Sequence, residues 1–172
     1  TGGPGTGKTF LLVSILHALL EKNPSLKISL AAPTGKAAQR MTESILLNLH
    51  NLNLGEEEKK RFPQESSTIH RLLQPLPPSI HFRKNQKNPL EADFLIVDEA
   101  SMIDLPLMAK LLDAIPNRCS LILIGDVDQL APVEAGAPFA SIVRHFLLPD
   151  QPQLIAKLST NRRFGVDSSI HR

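Results

Sequence analysis

The spacing of apolar positions divides the chain into alternating helices and strands. From Lys8 to Lys22, Leu12, Ile15, Leu16, Leu19 and Leu20 recur at helical spacing, and Asn23-Pro24 ends the run because the residue before proline is driven out of helical backbone. Ile28 to Ala32 is a short apolar run that predicts a strand, and Pro33-Thr34-Gly35 turns it into a second helix from Lys36 through about Leu47. Farther along, Phe94 to Val97 and Ser120 to Ile124 are continuous apolar runs that predict strands buried on both faces. Leu105 to Ile115 predicts a helix between them, with Pro106 tolerated in its first turn. A loop from Gly125 through Gly136 precedes a helix near Ala137 to Phe146, and Leu154 to Leu158 predicts one more strand.

Between these halves, residues 48–90 lose the pattern. The segment holds the charged run Glu56-Glu57-Glu58-Lys59-Lys60-Arg61, a short helix candidate at Thr68 to Leu73, and proline-rich Pro75 to Pro78, and it reads as a connector or insertion. Strands alternating with helices predict an α/β fold in which an open parallel sheet carries helices on both faces. The pattern does not fix strand order.

Composition narrows this picture only slightly. With 172 residues, 42% hydrophobic and 21% charged, the chain suits one core rather than two domains. A net charge of +2 is too small to imply nucleic-acid binding from bulk electrostatics, so a basic footprint has to be local. Cys119 is the only cysteine, which excludes an intrachain disulfide and fits a reducing compartment such as the cytoplasm. No apolar stretch reaches the roughly 18 residues needed to span a bilayer, so no membrane association is expected.

Chemistry enters at the start of the chain. Gly2-Gly3-Pro4-Gly5-Thr6-Gly7-Lys8-Thr9 fits the spacing G-x-x-x-x-G-K-T, in which glycines let backbone N–H groups approach phosphate. Lys8 then reaches the terminal phosphates of ATP, Thr9 gives an oxygen to Mg2+, and the following helix adds its positive N-terminal end. Such a loop normally follows a buried strand, so the expected N-terminal strand is missing from the sequence.

Asp98-Glu99 leaves the apolar run Phe94 to Val97, which places two carboxylates at a strand exit beside the phosphate loop. Asp98 suits the metal and Glu99 the attacking water. Gln129, in Gly125-Asp126-Val127-Asp128-Gln129-Leu130, is a candidate sensor of the terminal phosphate, although Gly-Asp is also an ordinary turn pair. Pro33-Thr34-Gly35-Lys36 offers N–H groups, a hydroxyl and an ammonium to a phosphodiester, although taken alone the pattern favours an ordinary turn and N-cap with a solvated lysine. Thr68 and His70 begin another short helix with polar tips, and a lone histidine is often structural. His81, Arg83, Lys84 and Lys87 around Phe82 suit phosphate contact or a solvated hairpin. Arg162-Arg163 is a candidate for charge neutralisation on the transferred phosphoryl group, or a surface pair.

Together these motifs, in this order, resemble the first motor domain of the RecD-type superfamily-one DNA helicases, the alpha subunits of exodeoxyribonuclease V. The likeness also rests on Ala32 to Ala38, Thr68 to Leu73, Asp98 to Asp104 and Gly125 to Gly136, and covers nearly the whole chain. It implies a P-loop NTPase fold of RecA-like type, with 1–172 as a fragment of a single motor domain. It further implies that Pro33, Thr34, Gly35, Lys36, Thr68 and His70 face single-stranded DNA, and that Arg163 rather than Arg162 touches phosphate. Movement from five-prime to three-prime, action on duplex ends, and beta and gamma partner subunits with the nuclease in the beta subunit are implied likewise. The chain has no Trp or Tyr, and Ala131-Pro132-Val133 offers no ring for base stacking, so backbone tracking is expected to dominate. Two other readings use the same phosphate loop: an ATP-binding regulatory or scaffold subunit without sustained hydrolysis, and a phosphotransferase acting on a small acceptor.

Overall fold

The structure is a computed structural model that describes residues 1–3, 6–50, 54–129, 136–148 and 154–158. Helix α1 spans Lys8–Lys22 and buries Leu12, Val13, Leu16 and Leu20, the stripe that its sequence period requires. Gly7 begins it in left-handed backbone (φ 87°, ψ 21°), which glycine adopts without steric cost. Strand β1 covers Ile28–Ala32 and leads into α2, Gly35–His50. The Thr34 hydroxyl oxygen caps α2 by accepting from the Ala37 N–H at 3.2 Å. Helix α2 outlasts the expected Leu47 because Leu49 continues the buried face of Met41 and Ile45.

The segment without a clear pattern contributes to the sheet. It holds α3 (Glu56–Lys59), the two-residue strand β2 (Ser67–Thr68) and α4 (Ile69–Leu73). Thr68 ends β2 and caps α4, its hydroxyl accepting from the Arg71 N–H at 3.1 Å. Ile69 and Leu73 are fully buried. After β3 (Phe94–Val97) and a short 3-10 turn (Ala100–Met102), α5 runs from Leu105 to Ala114. Asp104 caps α5 by accepting from the Leu107 N–H at 2.7 Å, with proline in the first turn where a missing N–H costs nothing. Strand β4 (Ser120–Leu123) and α6 (Pro138–Phe146) follow.

The four strands are parallel in the order β2-β1-β3-β4. Alternation along each strand sends side chains to two separate cores. Leu30 and Ile96 join Leu12, Leu16, Met41 and Ile45 beneath α1 and α2. Ala31, Leu95 and Val97 join Ile69, Leu73, Met108, Leu111 and Phe139 beneath α4, α5 and α6. The expected parallel sheet with helices on both faces is therefore present. Full burial of side chains such as Leu95 and Ile96 is worth about 1.5–3 kcal/mol each.

Two expectations change. Strand β3 is buried as foreseen, but Ser120 of β4 is exposed and Leu121 to Leu123 are half-buried. The cause is position, since β4 ends the four-strand order and, among the described residues, has Thr1–Gly3 beyond it, where the Gly2 N–H donates to the Gly125 carbonyl at 3.1 Å. Leu154 to Leu158 is not a regular strand either, and only Leu158 bridges, to Gly2. No helix among the described residues is long and apolar enough to cross a membrane.

Candidate nucleotide site

The chemistry gathers where β3 and β4 end and α1 begins, the crevice at strand C-termini where open α/β sheets hold ligands. Gly2 sits between two backbones. A Cβ there would lie 2.7 Å from the Leu158 carbonyl oxygen and 2.9 Å from the Thr6 hydroxyl oxygen, so only glycine fits. Thr6 is buried, and its hydroxyl donates to the Gly3 carbonyl at 2.8 Å, holding the loop in its turn. Lys8 folds back over the loop, and its Nζ donates to the Gly2 and Gly3 carbonyls at 2.6 and 2.9 Å. Those oxygens occupy the acceptor role that phosphate oxygens would take. Pro4 and Gly5 lie outside the described residues.

Asp98 and Glu99 emerge from β3 into the same space. The Asp98 N–H donates to the Ala31 carbonyl at 3.0 Å, and one Asp98 carboxylate oxygen accepts from the Glu99 N–H at 2.8 Å. Burial raises the Asp98 pKa above the ordinary carboxylate value, partly offset by the Glu99 N–H and by the positive charge of Lys8. With a raised folded-state value, the carboxylate opposes folding once ionised: the cost is absent in acid and grows as pH rises through that value. A cation beside Asp98 would relieve it. Among the described residues no group of three or more His, Cys, Asp or Glu side chains is placed to hold a metal ion. Thr9 and Asp98 both line the cleft, and a divalent ion held by them would complete its shell from phosphate and water, the habit of Mg2+.

Glu99 has left-handed backbone (φ 55°, ψ 34°), a conformation that costs a non-glycine residue roughly 1–2 kcal/mol. The turn is held in that shape by the Ala100 N–H, which donates to the Ile124 carbonyl at 2.8 Å. Beside it, the Ser101 hydroxyl donates to Gln129 Oε1 at 3.0 Å, joining the exit of β3 to the loop after β4. Gly125 makes this junction possible. A Cβ there would stand 2.9 Å from the Phe139 ring and 3.0 Å from the Ser101 nitrogen. Gly125→Ala is therefore expected to lower stability by about 1–3 kcal/mol, measured by denaturant unfolding, because neither the ring nor the backbone can withdraw without repacking.

One cleft of about 930 Å3 collects Thr6, Gly7, Lys8, Thr9, Asp98, Glu99, Gly125 and Gln129. The sequence pointed to Thr6, Gly7, Lys8, Thr9, Asp98, Glu99 and Gln129 as candidates, and held Gly125 only as part of the motif around Gln129; other residues of the cleft it missed. Asp126 is buried in the cleft wall and accepts from the Asp128 N–H at 3.1 Å. Ser101 also lines the cleft, as do Arg40, Glu43, Ser44, Leu47 and Asn48 from one side of α2. The only sequence signal for the α2 residues was their three- and four-residue spacing from one another, which says that they share a face and nothing of what it faces.

The residues expected to meet DNA lie elsewhere. Pro33, Thr34, Gly35, Lys36, Thr68 and His70 are absent from the cleft lining. They sit together at the ends of β1 and β2, which pair Ala32 with Thr68. The two turns are fastened to each other. The Ser66 N–H donates to Thr42 Oγ1 at 3.0 Å, and the Ser66 hydroxyl donates to the Ala38 carbonyl at 2.5 Å. Thr34 and Thr68 are both caps, but a capping hydroxyl only accepts, so its own proton stays available to a phosphate oxygen. Exposed His70 packs against Phe82 at 5.8 Å between ring centroids. Within the basic cluster, Lys84 is committed to the Pro89 carbonyl at 3.2 Å, whereas Arg83 and Lys87 are exposed. Leu130, Arg162 and Arg163 lie outside the described residues.

The AAA domain family model matches residues 1–135. The chain belongs to the AAA domain family. It is 44% identical over 171 residues to the RecBCD enzyme subunit RecD of Mycolicibacterium smegmatis, covering 96% of this chain and 30% of that protein. It is 41% identical over 144 residues to the ATP-dependent RecD2 DNA helicase of Deinococcus radiodurans, covering 84% of this chain and 17% of that one. Among solved structures it is similar to unliganded Pif1 from Bacteroides sp, with a TM-score of 0.46 and 21% identity over 94% of this chain and 37% of that chain. The RecD-type resemblance read from the motifs thus extends over nearly the whole sequence of this family member. The chain spans about three tenths of the length of the M. smegmatis relative.

Proposed function

We propose that this chain is the ATP-hydrolysing part of a RecD-type DNA helicase, coupling hydrolysis to five-prime to three-prime movement on single-stranded DNA. The observation that carries the reading is that Lys8 and Thr9 share one cleft with Asp98 and Glu99, in a chain 44% identical to a RecD subunit. Without the second pair the cleft would fit a nucleotide-binding scaffold as well.

In this reading Lys8 exchanges the Gly2 and Gly3 carbonyls for the terminal phosphates, while the loop N–H groups and the start of α1 hold the rest of the chain of phosphates. Thr9 and Asp98 would hold Mg2+, which would supply electrostatic stabilisation of the phosphate oxygens. Glu99 orients and deprotonates the attacking water, and its left-handed backbone fixes the direction in which its side chain leaves the turn. Gln129, steadied by Ser101, reads the terminal phosphate, and Arg163 neutralises charge on the transferred group. Pro33, Thr34, Gly35, Lys36, Thr68 and His70 carry the DNA backbone, through hydroxyls whose protons are free and through one ammonium. The partners are the beta and gamma subunits of exodeoxyribonuclease V and duplex-end DNA, in the cytoplasm.

The test is unwinding of partial duplexes by the full chain. A duplex with a five-prime single-stranded tail is expected to be opened with ATP at least about tenfold faster than one with a three-prime tail. The opposite preference would contradict the direction, and ATP-independent opening would contradict the motor.

A further inference from the structure

We propose that Arg40 is a further cationic contact to the terminal phosphate, beside Lys8 and Arg163, delivered by α2 from the side of the cleft that faces the paired carboxylates. The inference rests on the hydrolase reading above and adds a substrate-contacting residue to it.

The layout of the sheet supplies the first argument. Gly2 lies against Gly125 after β4 and bridges Leu158, so the phosphate loop sits toward that side of the crevice. Asp98 and Glu99 leave β3, and the strand next to β3 is β1, which feeds α2. A phosphate chain running from the start of α1 toward the carboxylates therefore ends with its last group nearest α2. Arg40, in the second turn of α2, lines the cleft there together with Ala37, Met41 and Ser44.

Charge supplies the second. The cleft presents two cationic side chains, Lys8 and Arg40, against the carboxylates of Glu43, Asp98, Glu99 and Asp126. Such a site repels a triphosphate unless its cations are used, and among the described residues Lys8 and Arg40 are the two cationic side chains that line it. Arg40 is uncommitted. It is exposed and forms no ion pair among the described residues, and Glu43, one turn further along α2, accepts instead from Gln39 Nε2 at 2.8 Å. A planar guanidinium with five donors matches two oxygens of one phosphate, a geometry that lysine cannot reproduce.

The test compares nucleotides on the full chain with Mg2+ present, by titrating a non-hydrolysable ATP analogue and ADP. Arg40→Ala is expected to weaken the analogue by about 10- to 100-fold and ADP by less than about threefold, with Arg40→Lys restoring part of the difference. The exposed position leaves the fold intact, which the unfolding midpoint checks, and Arg40→Gln repeats the test should Ala fail to fold. Equal weakening of both nucleotides, or of neither, overturns the proposal. If Lys8→Ala weakens both nucleotides while Arg40→Ala weakens neither, only Arg40 is refuted. If Lys8→Ala changes nothing, the hydrolase reading fails and the proposal with it.

Discussion

Glu99→Gln is expected to lower DNA-stimulated ATP turnover by about 10²–10⁴-fold, the span that a positioned general base contributes, with nucleotide affinity staying within about threefold. The amide keeps the size and hydrogen-bonding reach of the carboxylate but does not take the proton of water. The backbone permits a sharper version of the experiment. Because Glu99 holds a left-handed conformation that suits glycine, Glu99→Gly should abolish turnover equally while leaving the fold as stable or about 1 kcal/mol more stable. A structural role for Glu99 would produce the reverse, with lower stability and preserved turnover. Steady-state hydrolysis and denaturant unfolding of the two variants separate these outcomes.

Lys8→Ala is expected to lower kcat by about 10²–10³-fold, as loss of one donor aimed at developing charge does elsewhere. It also weakens nucleotide binding by about 10- to 100-fold through lost charge-assisted hydrogen bonds. In the structure the ammonium is held by the Gly2 and Gly3 carbonyls, so removing it also frees those oxygens. The loop keeps its other fastening, from the buried Thr6 hydroxyl to Gly3. The variant should therefore fold and lose turnover, which equilibrium nucleotide binding and steady-state hydrolysis measure in parallel.

Much of this was legible in the chain because the informative residues obey short-range rules. Lys8–Lys22 and Ile28–Ala32 were delimited residue for residue, since Pro24 and Gly35 punctuate them and the apolar period is unmixed. Asp98 and Glu99 were placed correctly because a buried strand must deliver its next residues to the crevice at its end. What stayed hidden depends on contacts between distant segments. Strand β2 is two polar residues whose only claim to be a strand is pairing with Ala31 and Ala32. The exposure of β4 follows from its place in the strand order, which no periodicity encodes. Asp126 looked like half of a turn pair, and its burial against the phosphate loop arises only when Gly2 docks on Gly125. Arg40 gave no signal beyond its helical spacing, because a charged residue on an amphipathic helix is ordinarily solvated and α2 turns that face toward a cleft.

Thr34 and Thr68 show how two readings of one residue coexist. Sequence left a cap and a DNA contact as competitors for the first of these threonines. In the structure both hydroxyl oxygens accept from helix N–H groups, which fixes where their protons point from without consuming them. The caps orient the hydroxyls, and the Thr42–Ser66 contact holds the two turns side by side. Capping and phosphate contact are therefore compatible at these positions.

The central claim is that the cleft joining Lys8 and Thr9 to Asp98 and Glu99 hydrolyses ATP in response to single-stranded DNA. Steady-state ATP hydrolysis by the full chain, with and without single-stranded DNA and beside Lys8→Ala, measures it most directly. The account predicts turnover that rises at least about tenfold with DNA and vanishes in the variant. Turnover that ignores DNA and survives Lys8→Ala would contradict it.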